Sequence, residues 1–318
     1  MYDIITLGSA TVDAFGVISE KFEDCKPGDK VLVKKLDFEI GGGGVNAAVA
    51  FSRMGLKTAF LGKVGLDHNG LRIIRELKKE DIDFLHYKHS EDFTSFSFIL
   101  NSEKEKDRII YTYKGASDHL KPGEVDVRDL KKTRWFYIAT LLKEAFKTAE
   151  KVAEFAKKNN IPVMFNPSSY LAKRGKDYLK KILKCTTILV LNKKESKLLL
   201  RTDSDDFVFL LKSLQKLGPK IVVITDGSRG VHVLDKDMLA YMKPYKIKVV
   251  STAGAGDAFA SGFLSGIIKK DYVHALEIGM ANAASVIQYY GTNIRLLSYK
   301  EALKFVEKHP NPVKTRRL

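Results

Sequence analysis

Six short apolar runs, YDIITLG, TAFLGKVG, RWFYIA, IPVMFNP, ILVLN and KIVVIT, are strung along the chain with helical stretches between them. The helices are read from about Asn46, from about His68 and across 143–159. Strands that are apolar almost without interruption must be buried on both faces, and βα alternation covers both faces with helices. The fold class this dictates is α/β, with a large mostly parallel central sheet flanked by helices. Two regions break the rhythm. Residues 14–40 and 94–113, the second with a charged SEKEKD turn, alternate with period 2 and read as antiparallel, hairpin-like pieces. Together they form a small β-sheet lid, taken as about 14–40 and 93–115, over one edge of the main sheet. After residue 256 the chain reads as almost wholly helical, through 257–269, 271–290 and 298–308, and the basic tail NPVKTRRL is expected to be disordered. With no repeat, low-complexity tract or Gly/Ser linker, 1–318 is expected to be one domain.

At 318 residues and 45% apolar content the chain can bury a large core. It holds no run of about 18 uncharged apolar residues, and its N-terminus has no basic stretch ahead of an apolar one, so a cytoplasmic protein without a membrane partner is expected. Cys25 and Cys185 form no CxxC pair. The net charge of +16 raises nucleic acid as a partner, but the lysine pairs at 78, 131, 157, 180, 193 and 269 are scattered rather than gathered with aromatics on one stripe. A solvated lysine-rich surface fits better, and its field also suits phosphorylated ligands.

Five stretches carry possible chemistry. TAGAGDAFASGF (252–263) opens a helix with Gly254, Ala255 and Gly256, whose amides can converge on an anion, and sets Asp257 in the first turn. It is neither a Walker A loop nor GxGxxG, because no GK[ST] follows and Phe259 stands where the third glycine would be. The bland alternative is a small-residue helix built for close packing. GGGGVNAAVAFSRMG (41–55) lets a ligand approach Gly42 and Gly43 closely, and Asn46 there can offer its amide to hydroxyls or cap the helix. Asp13, read at the exit of the first parallel strand, can accept hydrogen bonds from a polyol or serve only as a turn residue. In LNKKESK, Asn192 and Glu195 share a helix face and can support a hydrated Mg²⁺. VVITDGSRGVHV reads as a hairpin whose Thr225 and turn amides can hold phosphate.

In their order, Asp13, the glycine run with Asn46, NKKE (192–195), TDGSRG (225–230) and TAGAGDAFASGF resemble the ribokinase, or PfkB-type carbohydrate kinase, family across nearly the whole chain. The resemblance implies a ribokinase-like fold and transfer of the terminal phosphoryl group of ATP, or ADP, with Mg²⁺, to a hydroxyl of a sugar, nucleoside or related polyol. It implies Asp257 as general base and Gly254, Ala255 and Gly256 as anion hole. Asp13, Gly42, Gly43 and Asn46 match its substrate contacts, and Asn192 and Glu195 its magnesium support through water. Thr225, Gly227 and Gly230 match its nucleotide turn, and Asn282 lies on the helix expected beside the base. The sequence does not set the oligomeric state, but an exposed lid sheet could pair with a second copy in a homodimer. Two positions depart: Ser251 stands where cation-activated members have Asp, which argues against potassium activation. Gly43 and Gly44 stand where ribokinase and the family's phosphofructokinases have Gly-Lys, which argues against fructose 6-phosphate. The alternatives are a sugar-phosphate kinase, a non-catalytic ligand-binding relative and a nucleic-acid binder.

Overall fold

A computed structural model describes residues 1–85, 90–289, 291 and 293–318. Its strands are β1 (Ile4–Leu7), β2 (Thr11–Ile18), β3 (Lys35–Gly41), β4 (Thr58–Leu61), β5 (Asp83–Phe84), β6 (Ser95–Ser102), β7 (Asp107–Tyr113), β8 (Phe136–Ala139), β9 (Val163–Asn166), β10 (Ile188–Asn192), β11 (Ile221–Thr225), β12 (Val231–Asp235), β13 (Met238–Met242) and β14 (Lys314–Arg317). Its helices are α1 (Gly43–Arg53), α2 (His68–Lys79), α3 (Val127–Leu130), α4 (Lys143–Lys158), α5 (Ser169–Ala172), α6 (Lys180–Leu183), α7 (Lys193–Leu200), α8 (Phe207–Gln215), α9 (Ala255–Lys269), α10 (Tyr272–Val286) and α11 (Tyr299–Lys308).

The six apolar runs become β1, β4, β8, β9, β10 and β11, all in one ten-stranded sheet of order β14-β13-β12-β11-β10-β9-β8-β1-β4-β5. From β5 to β11 neighbouring strands run parallel, and β12, β13 and β14 extend the sheet antiparallel. Alternate residues of one strand feed two cores. Ile5, Leu7, Phe136 and Ile138 face a core shared with α4 and α8, while Ile4, Tyr137 and Ala139 face one shared with α1, α9 and α10. That explains why both residue parities had to be apolar.

Helices α9 and α10 pack with unusual intimacy. A Cβ on Gly262 would lie 2.9 Å from the Gly279 Cα, and one on Gly266 would lie 2.4 Å from the Ala275 Cα. The close-packing explanation of small residues therefore holds for the second half of this helix.

The two alternating segments form a separate four-stranded sheet, β3-β2-β6-β7, with antiparallel hairpins β2–β3 and β6–β7 joined by a parallel β2–β6 pairing. It begins at Thr11, three residues before the expected boundary. The C-terminal tail corrects the expectation of disorder: Lys314–Arg317 pair antiparallel with β13, since backbone groups on that edge accept a strand of any polar sequence. Helix α10 stops at Val286 rather than running to 290, a position outside the described residues. Among the described residues, no helix is long and apolar enough to cross a membrane.

Candidate active site

The C-terminal ends of the parallel strands and one face of the small sheet enclose a cavity of about 550 Å³. Open α/β sheets place ligands at this end because helix N-termini and strand-end loops converge there. Asp13, Gly42, Gly43, Asn192, Glu195, Thr225, Gly254, Gly256 and Asp257 all lie on its wall. Asn46, buried behind it, reaches the wall through Asp257.

Gly254 caps α9 with φ 76°, a left-handed conformation that favours glycine, and no side chain caps the helix. The first amides of a helix have no intrahelical acceptor, so Gly256 and Asp257 present theirs forward. A Cβ built on Gly256 meets nothing within 4 Å, so the space in front of this turn is open. Asp257 sits at the third position of the helix, and its Oδ2 accepts a hydrogen bond from the Asn46 amide at 3.1 Å. Burial pushes this carboxyl up to about 6; the Asn46 bond opposes the shift and the charge of Glu195 adds to it. A carboxylate with such a value is mostly ionised at neutral pH yet basic enough to take a proton.

Asn46 does not cap its helix, because α1 starts earlier than expected with Gly42 at its cap position. Its amide is instead held in register: Asn293 Nδ2 donates to Asn46 Oδ1 at 3.1 Å, which turns the Asn46 NH₂ towards Asp257. Arg53 supports Asn293 through its carbonyl at 2.6 Å and is itself forked onto Glu80. Gly42 has φ 89° and its missing Cβ would stand 2.5 Å from the Ser9 carbonyl oxygen, so this crossing needs glycine.

Asp13 is not at the exit of β1 but inside β2, paired with Glu39 on one side and Ser97 on the other. It is buried, and burial raises its carboxyl while the Ser97 hydroxyl and Lys114 pull it back.

Asn192 and Glu195 form a reciprocal cap on α7: Glu195 N donates to Asn192 Oδ1 at 2.8 Å, and Asn192 N donates to Glu195 Oε2 at 3.0 Å. Ser169 donates to the other Glu195 oxygen at 3.3 Å. These oxygens are thus partly engaged, and among the described residues no cluster of three His, Cys, Asp or Glu side chains could cage a metal. Such oxygens would suit a Mg²⁺ that keeps its water shell, the waters then standing between the ion and Asn192 and Glu195.

Thr225 ends β11 opposite Asn192 and faces the cavity. Gly227 and Gly230 do not line the cavity; they make the hairpin turn, with φ 47° and 91°. Asn282 also stands away from it. It is fully buried, donating to the Ala258 carbonyl at 2.8 Å and accepting from Leu297 N at 2.9 Å, so both ends of its amide tie α9 to α10 and the following loop. Ser251 lies on the wall, with its hydroxyl accepting from Ala253 N at 3.3 Å.

Several wall residues escaped the sequence reading. Asn166 ends β9, Ser168 and Tyr170 follow it, and the small sheet contributes Phe15, Ser97, Ile99, Asn101, Arg108, Ile110 and Thr112, with Lys114 just past the end of β7. The signal for the latter group was present: once Asp13 faces a ligand, strand alternation places every second residue of its partners on the same face.

The fold and the site together define a class, a ribokinase-like α/β enzyme with a carboxylate in the first turn of a glycine-capped helix. The sequence profile of the pfkB family carbohydrate kinases matches residues 1–298, and the chain belongs to that family; it is a phosphotransferase with an alcohol group as acceptor. It is 30% identical over 250 residues to an uncharacterized sugar kinase of Archaeoglobus fulgidus, covering 76% of this chain and 96% of that one. It is 27% identical over 309 residues to the ribokinase of Haemophilus influenzae, covering 96% and 98% of the two chains. The crystal structure of the Methanocaldococcus jannaschii nucleoside kinase superposes with a TM-score of 0.80 at 24% identity, over 96% of this chain and 99% of that one. Kinases of this family use ATP with Mg²⁺.

Proposed function

We propose that this chain transfers the terminal phosphoryl group of ATP or ADP to a hydroxyl of a sugar, nucleoside or related polyol, with Asp257 as general base. The observation that carries the reading is Asp257 itself: a carboxyl raised to about 6, steadied by Asn46, facing the cavity beside open helix amides. In this reading the amides of Gly256 and Asp257 hold the phosphoryl oxygens as charge shifts during transfer, with Gly254 bending the chain into the turn and the Ala255 amide turned back onto the Thr252 carbonyl at 3.4 Å. Asp257 takes the proton of the attacking hydroxyl. Asp13 aligns the other hydroxyls, Asn46 acts behind the wall by holding Asp257, and Gly42 and Gly43 let the acceptor lie against the backbone. Thr225 and the turn at Gly227 and Gly230 lie towards the nucleotide. When bound, Mg²⁺ neutralises charge on the phosphates; Asn192 and Glu195 orient its waters. The small sheet is the lid, and its closure keeps water from competing for the phosphoryl group. The same sheet turns Leu36, Phe38, Ile109 and Tyr111 outwards and exposed, an apolar face that a second copy would cover in a homodimer.

Asp257→Asn, assayed with a panel of sugars, nucleosides, inositols and sugar phosphates against ATP and ADP, should lower kcat by about 10²–10⁴-fold with nucleotide affinity little changed. Near-full activity in that variant would remove Asp257 as the base.

A further inference from the structure

The inner face of the lid sheet is graded in three rows. Strand pairing sets Asp13, Ser97 and Thr112 side by side, then Phe15, Ile99 and Ile110, then Asn101 and Arg108. All eight line the cavity. From the Asp13 row outwards the wall is therefore hydroxyl and carboxylate, then apolar, then cationic, over roughly 13 Å at about 3.3 Å per residue. An acceptor whose hydroxyls engage the first row extends across the second and brings its far end to Arg108.

At that outer end the donor that is free is Arg108. The Asn101 amide is tied to the carbonyls of Gly16 and Ile99, at 3.1 and 3.3 Å. Among the described residues no carboxylate lies within ion-pair distance of the Arg108 guanidinium; its neighbour Asp107 accepts from the Arg108 backbone N–H, at 2.7 Å. The other cation of the wall, Lys114, is largely buried: burial lowers its pKa while Asp118 and Asp13 pull it back, and its ammonium stands 5.0 Å over the Tyr170 ring. Arg108 is thus the cation that stands at the outer end of the wall with no carboxylate partner among the described residues, and its planar fork suits a phosphate or a carboxylate.

We infer that the acceptor carries an anionic substituent, a phosphate monoester or a carboxylate, gripped by Arg108 at the outer end of the lid sheet. This rests on the kinase reading above and narrows its substrate class. Arg108 then acts as a specificity residue that never meets the reacting atoms: it selects the acceptor's far end while Asp257 works on the near one.

The test compares wild type, Arg108→Ala and Arg108→Lys on matched acceptors: neutral pentoses and polyols, their phosphate monoesters, and their carboxylic acids. The expected wild-type kcat/KM is about 10²-fold higher for one anionic series than for its neutral parents, and the series that wins distinguishes phosphate from carboxylate. Arg108→Ala should cut that ratio by about 10- to 100-fold, mostly through KM, and Arg108→Lys should recover part of it. Thermal midpoints of the three proteins, with and without a pentose phosphate, check that folding is intact and read binding apart from turnover. A wild type that prefers neutral acceptors, or a ratio that Arg108→Ala leaves in place, would overturn the inference and leave the kinase reading standing. If no acceptor of any charge is phosphorylated, it is the kinase reading that fails.

Discussion

Helix α9 uses the same residue for two purposes at its two ends. Around Gly254 and Gly256 the backbone faces the cavity, and a Cβ on Gly256 would meet nothing within 4 Å. Around Gly262 and Gly266 the backbone is pressed onto α10, and a Cβ on Gly266 would come within 2.4 Å of the Ala275 Cα. Small residues alone therefore say little about function; what differs is whether protein or ligand space stands opposite. One end of the helix opens on the cavity, and the other is packed against the fold.

A matched pair of substitutions separates the two ends. Gly266→Ala forces backbone apart between two helices, and overpacking of this kind costs about 1–3 kcal/mol, read as a fall in the urea midpoint or Tm. The pH dependence of whatever activity remains should not move. Gly256→Ala should do the reverse. It gains helix propensity and clashes with nothing in the protein, so stability should hold or rise slightly. Its methyl group enters the space in front of the turn, so kcat/KM should fall about tenfold or more, an effect of about 1.4 kcal/mol on the barrier. If Gly256→Ala destabilised the protein while sparing activity, the division drawn between the two ends would be wrong.

The fold was legible because its determinants are local and repeated. Six apolar runs could be buried only in a sheet covered on both faces, and period 2 in 14–40 and 94–113 marked a sheet with one covered side. Where the reading failed, the deciding contacts lay elsewhere in the chain. The tail looked disordered because nothing in NPVKTRRL supplies core; its order comes from the free edge of β13, far away in sequence. Asp13 was placed at a strand exit because its pairing with Ser97 spans more than eighty residues. The motifs at 41–55 and 252–263 come together on one wall of the cavity, and each was legible because a helix start is made from consecutive residues. Arg108 carries no motif; only register against β6 sets it on the same face as Asp13. Asn282, by contrast, lies on the helix that the resemblance puts beside the base, yet its amide is spent on Ala258 and Leu297.

The open end of α9 also has a cost that the packed end lacks, and it yields the smallest effect expected here. The Asp257 carboxyl rises from 3.8 to about 6 on folding, chiefly because burial penalises its charge. Below the unfolded value both states are protonated and the residue favours neither. Between the two values the unfolded chain ionises while the folded one retains its proton, so stability is lost as pH rises, and the loss is complete above about 6. Asp257→Asn removes that ionisation but keeps an oxygen for the Asn46 amide. The variant should therefore be more stable than wild type at pH 8, by a margin of a few degrees at most that vanishes near pH 4. Paired thermal melts across that range measure it, with Gly266→Ala as a control whose deficit should stay flat. A stability gain at pH 8 in the variant that loses turnover would show that the charge at position 257 is kept for chemistry against the interest of the fold. A flat difference across the range would mean that burial does not hold this carboxyl near 6, and the case for Asp257 as a tuned base would weaken with it.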